Sequence, residues 1–133
     1  MTTKLKTQKT NKSVAKFIDE IKDTEKRGDI KTLRVMFKKI TGDDGAIWGD
    51  SIIGFGDYKY SNTMGTDIPW FRFGISPRAH GLSVYMMPGY TDQRLFKNLG
   101  KCKIGKCCIN IKKLSDIDLK TLESIARHSL KSD

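Results

Sequence analysis

Glycine and lysine alternate in one short segment of the chain, and this pattern is suited to holding an anion. Lys101, Lys103 and Lys106 lie close to Gly100 and Gly105. Glycine allows successive backbone N–H groups to turn toward one point, and each lysine adds a full positive charge. A solvated loop that leads into a hairpin would have the same composition. The segment therefore predicts an anion-binding site at the three lysines, with an ordinary loop as the alternative.

The positive charge of the chain is concentrated in two stretches. Among 133 residues, 25 are lysine or arginine and 15 are aspartate or glutamate, which gives a net charge of +10. Residues 1–12 hold four lysines and residues 97–113 hold six, and neither stretch contains an acidic residue. This distribution favours an anionic ligand or an acidic protein as partner, with nucleic acid less favoured. We predict a flexible basic arm over residues 1–12, which solubility alone would also explain.

A second candidate surface consists of aromatic residues on predicted strands. Its members are Trp48, Tyr58, Tyr60 and Trp70. Aromatic residues on strands most often belong to a core. However, Tyr58 and Tyr60 fall on the side opposite Phe55, so the sheet carries aromatic residues on both faces. If helices cover only the face of Phe55, the other aromatic residues form an exposed patch for a ligand, a partner or a homodimer.

The sequence contains no catalytic motif. It lacks the serine-hydrolase motif GxSxG, the zinc-peptidase motif HExxH and the phosphate-binding P-loop. Gly54 and Gly56 match part of the dinucleotide motif GxGxxG, but a strand follows them where a helix would be needed. No pattern selects an acid–base pair among the 15 carboxylates. We therefore predict a protein that is not an enzyme and holds no cofactor.

The cysteines indicate neither a disulfide framework nor a metal site. Cys102, Cys107 and Cys108 are odd in number and two of them are adjacent, which suits free thiols in a reducing compartment. Neighbouring residues on a strand point to opposite faces, so Cys107 and Cys108 cannot hold one ion together. No metal ligand is therefore predicted.

Two helices are predicted before the first strand. The first has apolar residues at helical spacing over residues 14–21, and it begins at Asn11 or Ser13. The second begins after Asp29, which can cap it, and ends at Gly42 in the left-handed conformation. We expect these two helices to form a pair.

From Trp48 onward the apolar residues alternate, which predicts strands. Four strands are centred on Ile53–Phe55, Phe71–Ile75, Leu82–Met86 and Ile109–Ile111. The second strand is expected to end at Pro77. A short helix over residues 91–99 precedes the last strand, and a final helix follows a capping box from Ser115 to Asp118.

The predicted order is α-α-β-β-β-α-β-α, within one domain over residues 13–133. Because the strands are clustered, we expect an α+β fold with an antiparallel sheet of four to five strands and helices packed mainly on one face. No apolar run reaches the roughly 20 residues that cross a bilayer, and the lysine-rich start does not resemble a signal peptide. A cytoplasmic protein without membrane contact is therefore expected.

Four stretches of the sequence carry a resemblance to a known family. They are residues 48–60 (WGDSIIGFGDYKY), 73–78 (FGISPR), 85–89 (YMMPG) and 99–109 (LGKCKIGKCCI). In this order they resemble the YdhG-like bacterial domain of unknown function, and the likeness extends from about Ser13 to Leu130. The resemblance implies a small cytoplasmic α+β domain and leaves its activity open.

The resemblance also implies an alternative function that involves iron. Some members of the broad family are described as frataxin-like iron chaperones, which supply ferrous iron for iron–sulfur cluster or haem assembly. Such proteins bind iron on a ridge of exposed carboxylates. The acidic residues of the first predicted helix are interleaved with basic ones: Asp19, Glu20, Asp23 and Glu25. Since their charge is cancelled, the main prediction remains a non-enzymatic binding module for an anionic ligand or partner.

Overall fold

A computed structural model describes residues 9–49, 51–61, 67–79, 81–87, 98–105 and 108–131 of the chain. The predicted α+β class and the antiparallel sheet are confirmed. The helices in these ranges are α1 (Val14–Asp19), α2 (Thr24–Thr41) and α3 (Leu119–Lys131). The strands are β1 (Ala46–Trp48), β2 (Ile52–Phe55), β3 (Tyr58–Ser61), β4 (Asp67–Trp70), β5 (Phe73–Arg78), β6 (Gly81–Met86), β7 (Lys103–Ile104) and β8 (Cys108–Ile111). None of the described helices combines the length and apolar character needed to cross a bilayer.

Six of the described strands form one antiparallel sheet in the order β1-β2-β5-β6-β8-β7, while β3 and β4 form a separate hairpin. The prediction of four to five strands is therefore too low. The missed strands β1 and β7 lie at the two edges of the sheet and contain only three and two residues. Alternation needs about four residues to be recognised, so neither strand leaves a periodic signal in the sequence.

The prediction that Pro77 ends a strand is wrong, because Pro77 lies inside β5 opposite Leu82 of β6. Strand β5 also pairs with β2, and that pairing ends where Ile53 lies opposite Ile75. The nitrogen of Pro77 points to the side where β2 no longer pairs with β5. The missing N–H therefore costs no ladder hydrogen bond.

The first two helices differ from the prediction in length. Helix α1 begins as expected, because the Ser13 hydroxyl accepts a hydrogen bond from the Lys16 N–H at 3.2 Å, but it ends at Asp19. Helix α2 begins at Thr24 and not after Asp29, since the Asp23 carboxylate accepts a hydrogen bond from the Lys26 N–H. Its end at Gly42 is confirmed, with φ at 76°.

Helix α3 is capped by Asp118 and not by Ser115. The Asp118 carboxylate accepts a hydrogen bond from the Thr121 N–H at 3.2 Å. Ser115 lies three residues before Asp118, in a 3₁₀ turn over Leu114–Asp116. The helix predicted over residues 91–99 falls largely outside the described residues.

The Asp118 cap should contribute measurably to the free energy of unfolding. We expect Asp118→Ala to lower the free energy of unfolding by about 1 kcal/mol, because it leaves an N–H at the start of α3 without a partner. Ser115→Ala is the matched control, and it should change stability by less than about 0.5 kcal/mol. Urea denaturation of both variants measures the difference. A larger loss from Ser115→Ala would contradict the assignment.

All three helices pack against one face of the six-stranded sheet. Ile18 of α1, Phe37 of α2 and Leu122 of α3 belong to one buried cluster with alternate residues of the strands. The Phe37 ring stacks on Phe73 of β5 at 5.0 Å between centroids, and it lies 5.6 Å from Phe55 of β2. We call this side the helix face and the opposite side the outer face.

The end of the predicted basic arm is attached to the sheet. Lys9 forms an antiparallel bridge with Trp48 at the free edge of β1. The N–H and the hydroxyl of Thr10 both donate to the Ile47 carbonyl, at 2.8 and 2.7 Å. Residues 9 and 10 are therefore held by the sheet, while residues 1–8 lie outside the described part of the chain.

Candidate functional site

On the outer face of the sheet, two paired glycines allow aromatic rings to pack directly against the backbone. Gly54 of β2 and Gly74 of β5 are opposite each other in the ladder. A Cβ atom at Gly54 would lie 2.5 Å from Cδ1 of Trp48, and one at Gly74 would lie 2.6 Å from Cε1 of Phe71. Larger residues at either position would push the rings off the sheet.

Four aromatic rings form a cluster over these two glycines. We call this cluster the aromatic layer, and its members are Trp48, Trp70, Phe71 and Tyr85. The Phe71 ring is at the centre, 4.8 Å from Trp70, 5.6 Å from Trp48 and 6.0 Å from Tyr85 between centroids. Trp48 is only 4% exposed, whereas Trp70 is half-buried. Trp48 therefore belongs to the buried part of the aromatic layer, and Trp70 contributes to its solvent-accessible part.

The aromatic surface predicted from the sequence is built by two separate sheets. Gly56, with φ at 73°, turns the chain after β2, so Tyr58 does not continue the strand that holds Phe55. Tyr58 lies in the β3–β4 hairpin, directly opposite Trp70. Trp70 in turn lies 5.7 Å from Trp48 of the main sheet. The backbone of Tyr60 belongs to β3, and its side chain lies outside the described part of the molecule.

A line of polar residues crosses the outer face next to the aromatic layer. Ser76 of β5 lies opposite Ser83 of β6, Ser83 opposite Asn110 of β8, and Asn110 opposite Lys103 of β7. We call these four residues the polar row. The row begins at fully buried Ser76 and ends at exposed Lys103 on the edge of the sheet.

Hydrogen bonds fix the orientation of the polar row. The Ser76 hydroxyl donates to the Ser51 carbonyl at 2.7 Å. The Ser83 hydroxyl, which is 3% exposed as a residue, donates to Oδ1 of Asn110 at 2.6 Å. Because its oxygen is used inside the face, half-buried Asn110 keeps its amide N–H groups as donors beside Lys103.

A bridge between two side chains spans the buried serines. Nη2 of Arg78 donates a hydrogen bond to the Tyr85 hydroxyl. Arg78 and Tyr85 lie two residues to either side of the Ser76–Ser83 pair, on neighbouring strands. Their contact therefore runs diagonally over the serines and helps to bury them. It also adds a guanidinium to the accessible part of the outer face.

The accessible polar groups at the described positions of the outer face are hydrogen-bond donors and cations. Among the described strand positions that alternate onto this face, none is acidic. Arg78, Asn110 and Lys103 present only N–H donors, and two of these groups are cations. At these positions the face therefore suits an acceptor-rich or anionic partner.

The described lysines of the glycine–lysine segment are exposed, whereas two of its backbone N–H groups already have partners. Lys101 and Lys103 are exposed, and Lys106 lies outside the described residues. The Lys101 N–H donates to the Asp116 carbonyl at 3.0 Å, and the Gly105 N–H donates to the Cys108 carbonyl at 2.8 Å. These two N–H groups are therefore not available to an anion, while the ammonium groups of Lys101 and Lys103 are.

The acidic residues near the end of α2 already have structural partners. The two Asp43 oxygens accept hydrogen bonds from the N–H groups of Gly45 and Gly56, at 2.9 and 2.8 Å. A hydrogen bond and the charge of Lys38, 2.7 Å away, hold the pKa of Asp44 below its usual value. Within the described ranges, no three His, Cys, Asp or Glu residues come together as metal ligands.

A cleft of about 270 Å³ lies at the start of α2, beside the end of the sheet. It contains carboxylates and ammonium groups in mixture, and several of them hold the fold together. Asp29 accepts a hydrogen bond from the Leu114 N–H at 3.0 Å, and Nζ of Lys26 donates to the Arg78 carbonyl at 2.7 Å. The mixed charge and these structural roles make the cleft a weaker candidate for anions than the outer face.

The described thiols do not form a reactive centre. Cys102 and Cys108 are both free cysteines, and Cys107 lies outside the described residues. Burial raises the pKa of the Cys102 thiol, so this group stays protonated at neutral pH.

Sequence reasoning identified Lys103 but missed Arg78, Tyr85 and Asn110. For Tyr85 and Asn110 the available signal was the alternation in the strands Leu82–Met86 and Ile109–Ile111, whose intervening residues must point away from the helices. Arg78 was missed because Pro77 was expected to end its strand. Alternation predicts on which face of the sheet a side chain lies, but it does not predict which residue lies beside it on the neighbouring strand.

Comparisons of the chain with protein-family models, with curated proteins and with solved structures find no match.

Proposed function

We propose that the protein is a non-enzymatic binding module, whose outer face and β7 edge bind an anionic ligand or an acidic protein. The observation that supports this proposal is the polar row, which leads from buried serines to Asn110 and Lys103 at an accessible edge. A fixed amide donor next to a lysine can hold one anionic group with two N–H donors.

Charge and aromatic surface would act together in this proposal. Lys101, Lys103 and Lys106 attract the ligand over about 8 to 10 Å, the screening length at moderate ionic strength. Half-buried Trp70 and Tyr58 offer ring surface for an apolar or planar part of the same ligand. Affinity should therefore fall with added salt but not vanish.

The lysines are tested by replacing all three with glutamine. With Lys101→Gln, Lys103→Gln and Lys106→Gln combined, we expect roughly tenfold weaker binding of anions, since each exposed charge contributes about 0.5 kcal/mol. The measurement is a thermal-shift panel of inorganic phosphate, a nucleotide, an acidic peptide and a short oligonucleotide. A ligand at about a hundred times its Kd stabilises the protein by roughly 2.7 kcal/mol.

A second triple variant provides the control for net charge. Lys22, Lys31 and Lys120 are exposed and belong to the helical side of the molecule. Replacing these three with glutamine removes the same charge and should leave anion binding within about twofold. Equal losses in both variants would show that only the overall charge matters. No stabilisation by any anion would count against the proposal as a whole.

Three further expectations remain predictions: YdhG-like membership and a cytoplasmic location, which the sequence motifs and the free thiols suggest, and the supply of ferrous iron. Ferrous iron supply lacks a supporting cluster of ligands among the described residues. Ferrous iron, added anaerobically to the same thermal-shift panel, tests it directly.

A further inference from the structure

Within the described residues, the backbone of one residue of strand β7 has no hydrogen-bond partner at the edge of the sheet. Lys103 lies opposite Asn110, and the Gly105 N–H donates to the Cys108 carbonyl at 2.8 Å. In an antiparallel pair, every second residue turns its N–H and C=O toward the partner strand. Lys103 and Gly105 therefore face β8, and the N–H and C=O of Ile104 point away from the sheet. No other described strand pairs with β7.

The side chains at this edge combine apolar and basic character. Ile104 is 48% exposed, and it is one of few large apolar residues at the described surface with such exposure. Lys103, its neighbour, points to the outer face, and Lys101 is exposed just before the strand. An exposed apolar residue with free backbone groups is the usual feature of a sheet edge that accepts another strand.

The lysines decide which strand can be accepted. Lysine on an edge strand usually prevents sheets from pairing with each other. A second copy of this chain would place its own lysines against Lys101 and Lys103, and residues 97–113 contain no acidic residue to compensate. A segment with carboxylates opposite the lysines would instead gain from the same charges.

We propose that β7 binds an acidic peptide segment of a partner protein, which adds to the sheet as an antiparallel strand. The proposal rests on the proposed function and names its partner class. Because side chains alternate, the segment carries a carboxylate opposite Lys103 and an apolar residue opposite Ile104. That apolar residue exchanges both of its backbone hydrogen bonds with Ile104.

The experiment compares three synthetic peptides on the full-length protein, by fluorescence anisotropy. The first is a labelled seven-residue peptide of alternating Glu and Val. The other two carry N-methyl groups, either on all Val residues or on all Glu residues. Methylation of Val removes the N–H groups that face β7, so binding should weaken by about tenfold or more. Methylation of Glu leaves those groups intact and should change affinity by less than about threefold.

A protein variant tests the second hydrogen bond of this pair, in which the Ile104 N–H donates to the carbonyl of the apolar peptide residue. Ile104→Pro removes the outward N–H, which no described residue uses, and proline is tolerated on edge strands. We expect it to weaken peptide binding by about tenfold or more, while Ile104→Val should keep the affinity within about threefold. Circular dichroism of both variants verifies the fold.

The outcomes separate this inference from the proposed function. If the two methylated peptides bind equally well, strand addition is wrong while anion binding stands. If phosphate or the nucleotide binds and the peptide does not, strand addition is again wrong. If no anionic probe binds, both proposals fail together.

Discussion

Replacement of Phe71 with alanine is expected to lower the free energy of unfolding by about 3 to 5 kcal/mol. Phe71 is 1% exposed and fills the space above Gly54 and Gly74. Its ring also contacts both Trp48 and Trp70, which are the two tryptophans of the chain. The native state of the variant should therefore also show tryptophan emission at longer wavelength, because water reaches the indole rings.

The matched control lies on the other face of the sheet. Phe37 is fully buried and packs between Phe55 and Phe73, on the helix face. Phe37→Ala should cost a similar 3 to 5 kcal/mol, to within about 1 kcal/mol, and leave the native emission unchanged. Urea denaturation gives the energies and the emission before unfolding gives the second readout. Equal spectral shifts in both variants would contradict two separate layers.

The elements that could be predicted are those with one covered face over several residues. Leu82–Met86 and Ile109–Ile111 alternate because the helices cover every second side chain, and the alternation survives in the sequence. Ser13 and Gly42 mark helix ends by local chemistry alone. Asp23 has the same chemistry, but Gly28 suggested that the helix begins after it. Gly28 nevertheless lies inside α2, because the roughly 1 kcal/mol that glycine costs in a helix is not enough to end it.

The candidate site was predictable only in its charge. Lys103 could be identified because six lysines without an acid are visible along the chain. Asn110 could not, because its importance depends on Ser83 and Lys103 on the neighbouring strands. Strand β8 pairs with β6 and β7, and the hairpin β3–β4 separates β2 from its partner β5. The pairings of β8 with β6 and of β2 with β5 join residues that are far apart in the sequence, and no local pattern predicts them.

Replacement of Gly81 with alanine is the second change with a large expected effect. Gly81 begins β6 with φ at 145°, in a region that residues with a side chain rarely adopt. A Cβ atom there would collide with the Ile111 carbonyl and lie 2.7 Å from Cα of Lys112. Both contacts are with backbone, so no side chain can move aside. Strain and overpacking together should lower the free energy of unfolding by about 3 kcal/mol or more.

Replacement of Gly28 with alanine should have the opposite effect on the free energy of unfolding. Gly28 lies inside α2, with negative φ and no atom within 4 Å of the position of a Cβ. Gly28→Ala should therefore raise the free energy of unfolding by about 0.5 to 1 kcal/mol, since alanine loses less backbone entropy in a helix. Urea denaturation measures both variants. If Gly81→Ala is as stable as the unmodified protein, β6 and β8 cannot approach each other as closely as the polar row requires.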